Sequence, residues 1–300
     1  MKEKNIGASV RARLFNLAKA NGTDFLPLLI RYATDRLLYR LSKSKVRNKF
    51  VLKGSILFSA WAAQPHRPTK DADLLGFGSS DSEYVKGLFK EICNIDATED
   101  GLIFDTSSLS IESIRDEQEY EGNRIKVRAE LNNATVTVQV DIGYGDIIIP
   151  DTEEVSLPSL LEMPPAKLLA YPKETVIAEK TEAMVKLGMA NSRMKDFYDI
   201  NWLADHYDFK GSILSKAIAA TFERRASSLP NEIPLALTED FYHDQIKTRQ
   251  WQAFLTKLSP EPSVPFYKCG ARIIQFLLPP LLGAIKQDFN KNWTADKNWH

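Results

Sequence analysis

Val51-Leu-Lys-Gly-Ser55, followed a helix-length segment later by Lys70-Asp-Ala-Asp-Leu-Leu75, is the stretch on which the fold is read. A short apolar strand enters a Gly-Ser turn, an amphipathic segment follows, and two aspartates arrive with a spacing of two. Glycine permits close backbone approach, and the first N–H groups of a helix together with the Ser55 hydroxyl suit a triphosphate. Taken alone, Gly54-Ser55 is equally an ordinary strand-to-helix turn with a serine cap. On a strand, residues two apart share a face, so the carboxylates of Asp71 and Asp73 are expected to project together. Like charges that close repel unless a cation lies between them, and hard oxygen donors suit Mg²⁺, with Mn²⁺ as the alternative. DxD pairs also occur by chance on surfaces, so the neighbours matter. One neighbour is Asp141, on a segment whose Val136, Val138 and Val140 face one way and Thr137, Gln139 and Asp141 the other. A third carboxylate there can complete a two-metal site that activates an attacking hydroxyl and stabilises a leaving pyrophosphate.

Outward from this stretch, residues 8–20 and 24–41 carry apolar residues at helical spacing, separated by Asn21-Gly22-Thr23, a stop followed by a start with Thr23 or Asp24 as N-cap. The pattern predicts a strand over 50–52, a helix over 56–63, a loop over 64–69 and a strand over 71–75. A helix is predicted over 82–94, and strands dominate 102–149, with Asn132-Asn133 as a hairpin turn. The proline-punctuated residues 150–165 mark a lobe boundary. Beyond them, 174–188, 194–204, 212–227, 239–258 and 265–287 are predicted to be helices. The chain therefore reads as α+β: residues 1–160 a mixed lobe with basic N-terminal helices, residues 161–300 an all-helical lobe.

A second constellation follows in Lys180 and Arg193-Met-Lys-Asp-Phe-Tyr-Asp199. On a helix Lys195, Asp196 and Asp199 fall within one turn. Lys195 and Asp199 can form a surface ion pair. Alternatively Lys195 neutralises developing phosphate charge while Asp196 and Asp199 orient lysines or a nucleophile. Lys180 and Lys186 are further phosphate candidates.

Composition narrows the classes. At 300 residues the chain can bury one large core or two ordinary ones. Residues 1–53 hold thirteen Lys/Arg against three acids, +10; a net charge of zero leaves −10 for the rest. Such polarity either presents a basic face to a polyanion or is neutralised internally. The longest apolar run, residues 273–282, is short and broken by Pro279-Pro280, so no membrane span is expected. No signal-peptide core opens the chain, and Cys93 and Cys269 stand apart from any metal or CxxC pattern, so reduced thiols and a cytoplasmic setting are expected. His66, His206, His243 and His300 show no zinc spacing, and no serine sits in a nucleophile elbow. Trp251 and Phe254 read as core rather than as a base-stacking platform.

Five blocks taken in order resemble the AbiEii/AbiGii toxin family of bacterial abortive-infection and toxin–antitoxin systems. They are Val51-Leu-Lys-Gly-Ser55, Arg67-Pro-Thr-Lys-Asp-Ala-Asp-Leu-Leu75, Val140-Asp-Ile-Gly-Tyr-Gly-Asp146, Glu174-Thr-Val-Ile-Ala-Glu-Lys180 and Lys195-Asp-Phe-Tyr-Asp199. The resemblance implies a polymerase-β-type nucleotidyltransferase core with a mixed sheet, and a helical C-terminal lobe. It implies a toxin that transfers a nucleoside monophosphate from an NTP, with tRNA the acceptor in some relatives and a cognate antitoxin as partner. By motif, Gly54 and Ser55 would hold phosphates and Asp71 and Asp73 the metal. Lys180, Lys195, Asp196 and Asp199 would form the family's second essential cluster. The long stretch between Ser55 and Asp71 places a loop near residues 66–69 at the mouth of the site. Two other readings stay open: a non-catalytic NTP- or RNA-binding protein acting through a partner, and nucleotide transfer to a protein side chain.

Overall fold

The computed structural model describes residues 5–62, 66–69, 71–115, 121–258, 264–286, 288–294 and 297–300. Lys2, Lys4, Lys70, residues 63–65 of the expected loop and Gln287 lie outside them. The chain divides into two compact units, residues 1–145 with 153–170, and residues 146–152 with 171–300.

The first unit runs α1 (Ile6–Ala20), α2 (Phe25–Lys43), β1 (Phe50–Lys53), α3 (Phe58–Trp61), β2 (Ala72–Gly76) and α4 (Ser82–Cys93). It continues through β3 (Leu102–Arg115), β4 (Glu121–Leu131), β5 (Ala134–Tyr144), β6 (Glu153–Leu157) and β7 (Ala166–Ala170). The strands form one seven-stranded mixed sheet in the order β3-β4-β5-β2-β1-β7-β6. β2 runs parallel to β5 and β1 parallel to β7, while the other neighbours are antiparallel. Alternation drives this sheet: Val136, Val138, Val140 and Ile142 of β5 are all buried. Asn132 turns the β4–β5 hairpin at φ 55°, a conformation asparagine tolerates. α2 packs against β5 and β7 through an apolar stripe that includes Leu37, Leu38 and Leu41.

Several boundaries differ from the sequence reading. The predicted helix over 56–63 is a 3₁₀ turn over Gly54–Leu57 followed by the single turn α3. β2 begins at Ala72, so Asp71 lies just ahead of the strand, where the Thr69 hydroxyl donates to its carbonyl at 3.2 Å. The proline-rich stretch read as a boundary contains β6, and β7 follows it in the same sheet.

The basic N-terminal segment is partly consumed inside the fold. Asp100 is fully buried and takes Arg36 Nε at 3.1 Å and Arg40 Nη1 at 2.5 Å on one carboxylate oxygen. Its other oxygen accepts Arg40 Nη2 at 3.2 Å and the Leu102 N–H at 2.9 Å. Two of the thirteen cations are therefore internal clamps that bind α2 to the turn before β3.

The second unit holds α5 (Lys173–Leu187), α6 (Met194–His206), β8 (Phe209–Lys210), α7 (Gly211–Arg224), α8 (Glu239–His243), α9 (Gln245–Leu258), α10 (Phe266–Lys286), β9 (Asn292–Thr294) and β10 (Asn298–Trp299). It is not wholly helical, because β10, β9 and β8 form a small antiparallel sheet in that order. The helix predicted over 239–258 breaks at Asp244, whose carboxylate accepts the N–H groups of Ile246 and Lys247, each at 2.9 Å. An aspartate able to cap favours a new start over continuation. Trp251 is buried and stacks on Phe266 with centroids 5.1 Å apart, a core role. α10 has the length and apolarity of a membrane span, but half of that stretch is buried within the fold. Cys93 and Cys269 are buried free thiols.

Asp100→Ala leaves two buried guanidinium groups without their shared partner. The expected loss is about 3–5 kcal/mol of stability in urea denaturation, and a loss below about 1 kcal/mol would contradict the clamp.

Candidate active site

Register builds the site. In the β1–β2 pair Lys53 is opposite Asp73, in the β2–β5 pair Asp73 is opposite Asp141, and in the β5–β4 pair Asp141 is opposite Arg124. Four adjacent strands thus carry a transverse row, Lys53, Asp73, Asp141, Arg124, in which two carboxylates are flanked by two cations. Partners in register project to the same face of a sheet, and all four are half-buried while Leu52, Leu74, Val140 and Ile125 are buried. Sequence reading found the two acids and missed the two cations. The signal for Arg124 was available, since it shares the alternation that places Asp141 on the polar face.

Gly54 follows β1 with φ +73°, a left-handed conformation. A Cβ there would lie 2.0 Å from Asp73 Oδ2, so the Asp73 carboxylate occupies the space a side chain would fill. Ser55 Oγ donates to Thr69 Oγ1 at 2.8 Å, tying the start of the 3₁₀ turn to the loop ahead of Asp71. His66 stacks on Phe58 with centroids 4.3 Å apart, and His66, Arg67 and Thr69 line a narrow pocket of about 30 Å³ together with Ser55 and Asp71. The expected loop does border the site.

Asp141 is held by Arg124 through two parallel hydrogen bonds, Nε to Oδ1 at 2.9 Å and Nη2 to Oδ2 at 2.8 Å. Gln139 Nε2 adds longer contacts at 3.2 and 3.3 Å. The Asp141 hydrogen bond raises the Arg124 pKa, with further support from the charges of Asp141 and Asp71. Asp71, Asp73 and Asp141 offer oxygen donors only, the set a hard divalent cation takes, and the register of Asp73 with Asp141 fits such an ion. Among the described residues no three His, Cys, Asp or Glu side chains converge as a preformed cage, and Arg124 is the competing partner of Asp141.

Asp35 on α2 was not singled out from the sequence. It lines the same pocket, is buried, and its Oδ2 has no hydrogen-bond partner. Burial pushes its pKa up to about 7, against the opposing pull of Arg31, Arg36 and the Leu160 N–H. The available hint was an acid set within the apolar stretch of a predicted helix.

In the second unit, Lys180 on α5 reaches both acids of α6, with Asp196 Oδ1 at 2.5 Å and Asp199 Oδ2 at 2.9 Å. Arg193 Nε adds a contact to Asp196 Oδ2 at 2.6 Å. Burial alone would lower the Lys180 pKa, but the two carboxylates outweigh it and hold it above the ordinary value. Burial likewise opposes ionisation of Asp196, and Lys180 and Arg193 reverse that, leaving its pKa lowered. Asp199 pairs with Lys180, and no ion pair with Lys195 is seen among the described residues. Lys195 and Lys186 are exposed and stand outside this cluster. A second network escaped sequence reading: Arg225 contacts Glu182 at 3.1 Å, Glu179 at 3.1 Å and Asp146 at 3.4 Å.

Residues 36–269 match the family model described as nucleotidyl transferase AbiEii toxin, type IV TA system. The chain belongs to this family of toxin nucleotidyltransferases. Among solved structures, JHP933 from Helicobacter pylori is similar at 16% identity and TM-score 0.49, over 86% of this chain and 94% of that one. A candidate nucleotidyltransferase from H. pylori is similar at 16% identity and TM-score 0.47, over 87% of this chain and 97% of that one. A search of the curated proteins gives no match.

The buried Asp35 makes stability pH-dependent. Its folded pKa of about 7 lies above the ordinary 3.8, so between these values the native state keeps a proton that the unfolded chain has lost. The resulting stabilisation is complete below about pH 3.8 and is lost as pH rises through about 7. Melting temperatures from pH 4 to 8 are expected to fall for the wild type relative to Asp35→Asn, and parallel curves would contradict a raised pKa.

Proposed function

We propose that this chain transfers a nucleoside monophosphate from an NTP to an acceptor hydroxyl, with tRNA as the acceptor, and thereby arrests growth in the cytoplasm. The observation that carries the reading is the row Lys53, Asp73, Asp141, Arg124 set against the Gly54-Ser55 turn, in a member of the AbiEii family. The type IV toxin–antitoxin family implies a cognate antitoxin as a further partner.

In this reading the backbone at Gly54, free of a side chain, and the Ser55 hydroxyl receive the β- and γ-phosphates. Asp71 and Asp73, with Asp141, would hold Mg²⁺, Mn²⁺ being the alternative; when bound, the ion neutralises the phosphates and the departing pyrophosphate. The acceptor oxygen forms a bond to the α-phosphorus, the bond from that phosphorus to the bridging oxygen breaks, and pyrophosphate leaves. The acceptor's proton passes to a carboxylate of the row. Lys53 and Arg124, at the ends of the row, temper repulsion between the two central acids. Lys180, Asp196 and Asp199 form the second cluster, and Lys195 and Lys186, exposed and outside it, are cations open to phosphate.

Asp73→Ala is expected to abolish growth arrest on induced expression and nucleotide incorporation in vitro, with the circular dichroism spectrum unchanged. An equally toxic Asp73→Ala variant would sink the mechanism. Incubation with labelled NTPs, total RNA and total protein identifies the acceptor. Label in tRNA supports the reading, label in protein moves the acceptor to a side chain, and label held only non-covalently replaces catalysis by binding.

A further inference from the structure

Arg31 stands one helical turn before Asp35 on α2 and lines the pocket that also contains Ser55, Thr69 and Asp71. Its situation differs from that of the other arginines nearby. Arg36 and Arg40 are closed on Asp100, and Arg13 donates to the Leu161 carbonyl at 2.8 Å. The Arg31 side chain is half-buried and makes no hydrogen bond or ion pair with the described residues. Asp35 is placed at the i, i+4 spacing at which helical ion pairs form, yet no such pair is made, and Asp35 Oδ2 is left without a donor. A partly desolvated guanidinium that feels the Asp35 charge without closing on it, beside a buried carboxylate oxygen without a donor, leaves room for a further anion. Guanidinium carries five N–H donors in a planar fork, so one edge can serve Asp35 while another serves a phosphate.

We propose that Arg31 is a phosphate-binding residue that contacts the triphosphate of the NTP seated at Gly54-Ser55, with Asp35 as its positioning partner. The inference rests on the nucleotidyltransferase reading of that turn and adds to it a cation from the N-terminal helices. A triphosphate is favoured over an RNA backbone because Ser55, part of the turn read as the NTP site, lines the same pocket as Arg31.

The test is calorimetric titration of the full chain with inorganic triphosphate in Mg²⁺, and with each NTP, for wild type, Arg31→Ala, Arg31→Lys, Asp35→Asn and Lys43→Ala. Arg31→Ala is expected to weaken triphosphate binding by about ten- to a hundredfold, the range for a hydrogen bond to a charged group. It should also raise KM for NTP more than it lowers kcat. Arg31→Lys should recover part of the affinity, since charge is kept and the fork lost. Asp35→Asn should raise KM with no fall in melting temperature at pH 8, which a purely structural role would not produce. Lys43→Ala, an exposed cation on the same helix, should bind as wild type does. Wild-type affinity in a folded Arg31→Ala variant overturns the assignment alone, as does weakened RNA retention with unchanged triphosphate binding. Failure of the wild type to bind triphosphate or any NTP overturns the underlying reading as well.

Discussion

Asp73 and Gly54 compete for one volume, and the glycine's missing side chain is what lets both stand where they do. The carboxylate oxygen of Asp73 lies where a Cβ of residue 54 would be, at 2.0 Å from its ideal position. The antiparallel pairing of Lys53 with Asp73 enforces the approach, and the left-handed backbone at Gly54 turns the chain away into the 3₁₀ segment. Any residue larger than glycine would have to displace the acid or the strand. The rest of the site is measured from this contact, because Asp73 sets the register to Asp141, and Asp141 sets it to Arg124.

Electrostatics then divides the charged residues into those that hold the fold and those available for chemistry. Arg36 and Arg40 on Asp100, Arg225 on its three acids, and Lys180 on Asp196 and Asp199 are ion-paired groups. Breaking any of them would strand a buried charge. Asp35 Oδ2 and the Arg31 guanidinium differ in that neither closes on an ion-pair partner among the described residues, and both border the pocket. Buried polar groups are rarely left that way without a ligand, a water or a stored strain to account for it.

The sheet and its acids were legible in the sequence because alternation fixes which face a strand residue occupies. Val136, Val138 and Val140 pointed inward, which placed Asp141 on the opposite face before any coordinates. Lys53 was not legible in the same way, since its register with Asp73 depends on how the irregular segment between β1 and β2 folds, whereas Arg124 faces Asp141 across the Asn132-Asn133 hairpin and could have been read. Asp71 was put on the strand, although β2 begins only at Ala72 and the Asp71 carbonyl accepts from the Thr69 hydroxyl instead. The basic character of residues 1–53 was visible, but a count of charges cannot tell Arg36, clamped on Asp100, from Arg31, which faces a pocket. In the second unit the helices followed their apolar periodicity, while strands of two or three residues such as β8 and β9 carry too little pattern to read.

Transfer of a nucleotide, as opposed to a phosphate or simple binding, is the central claim. It is tested most directly by supplying wild-type protein and total RNA with NTP labelled at either the α- or the γ-phosphate. The account predicts covalent label in RNA from the α position, equimolar release of pyrophosphate, and none from the γ position. Covalent label from the γ position alone, or none from either, would contradict it.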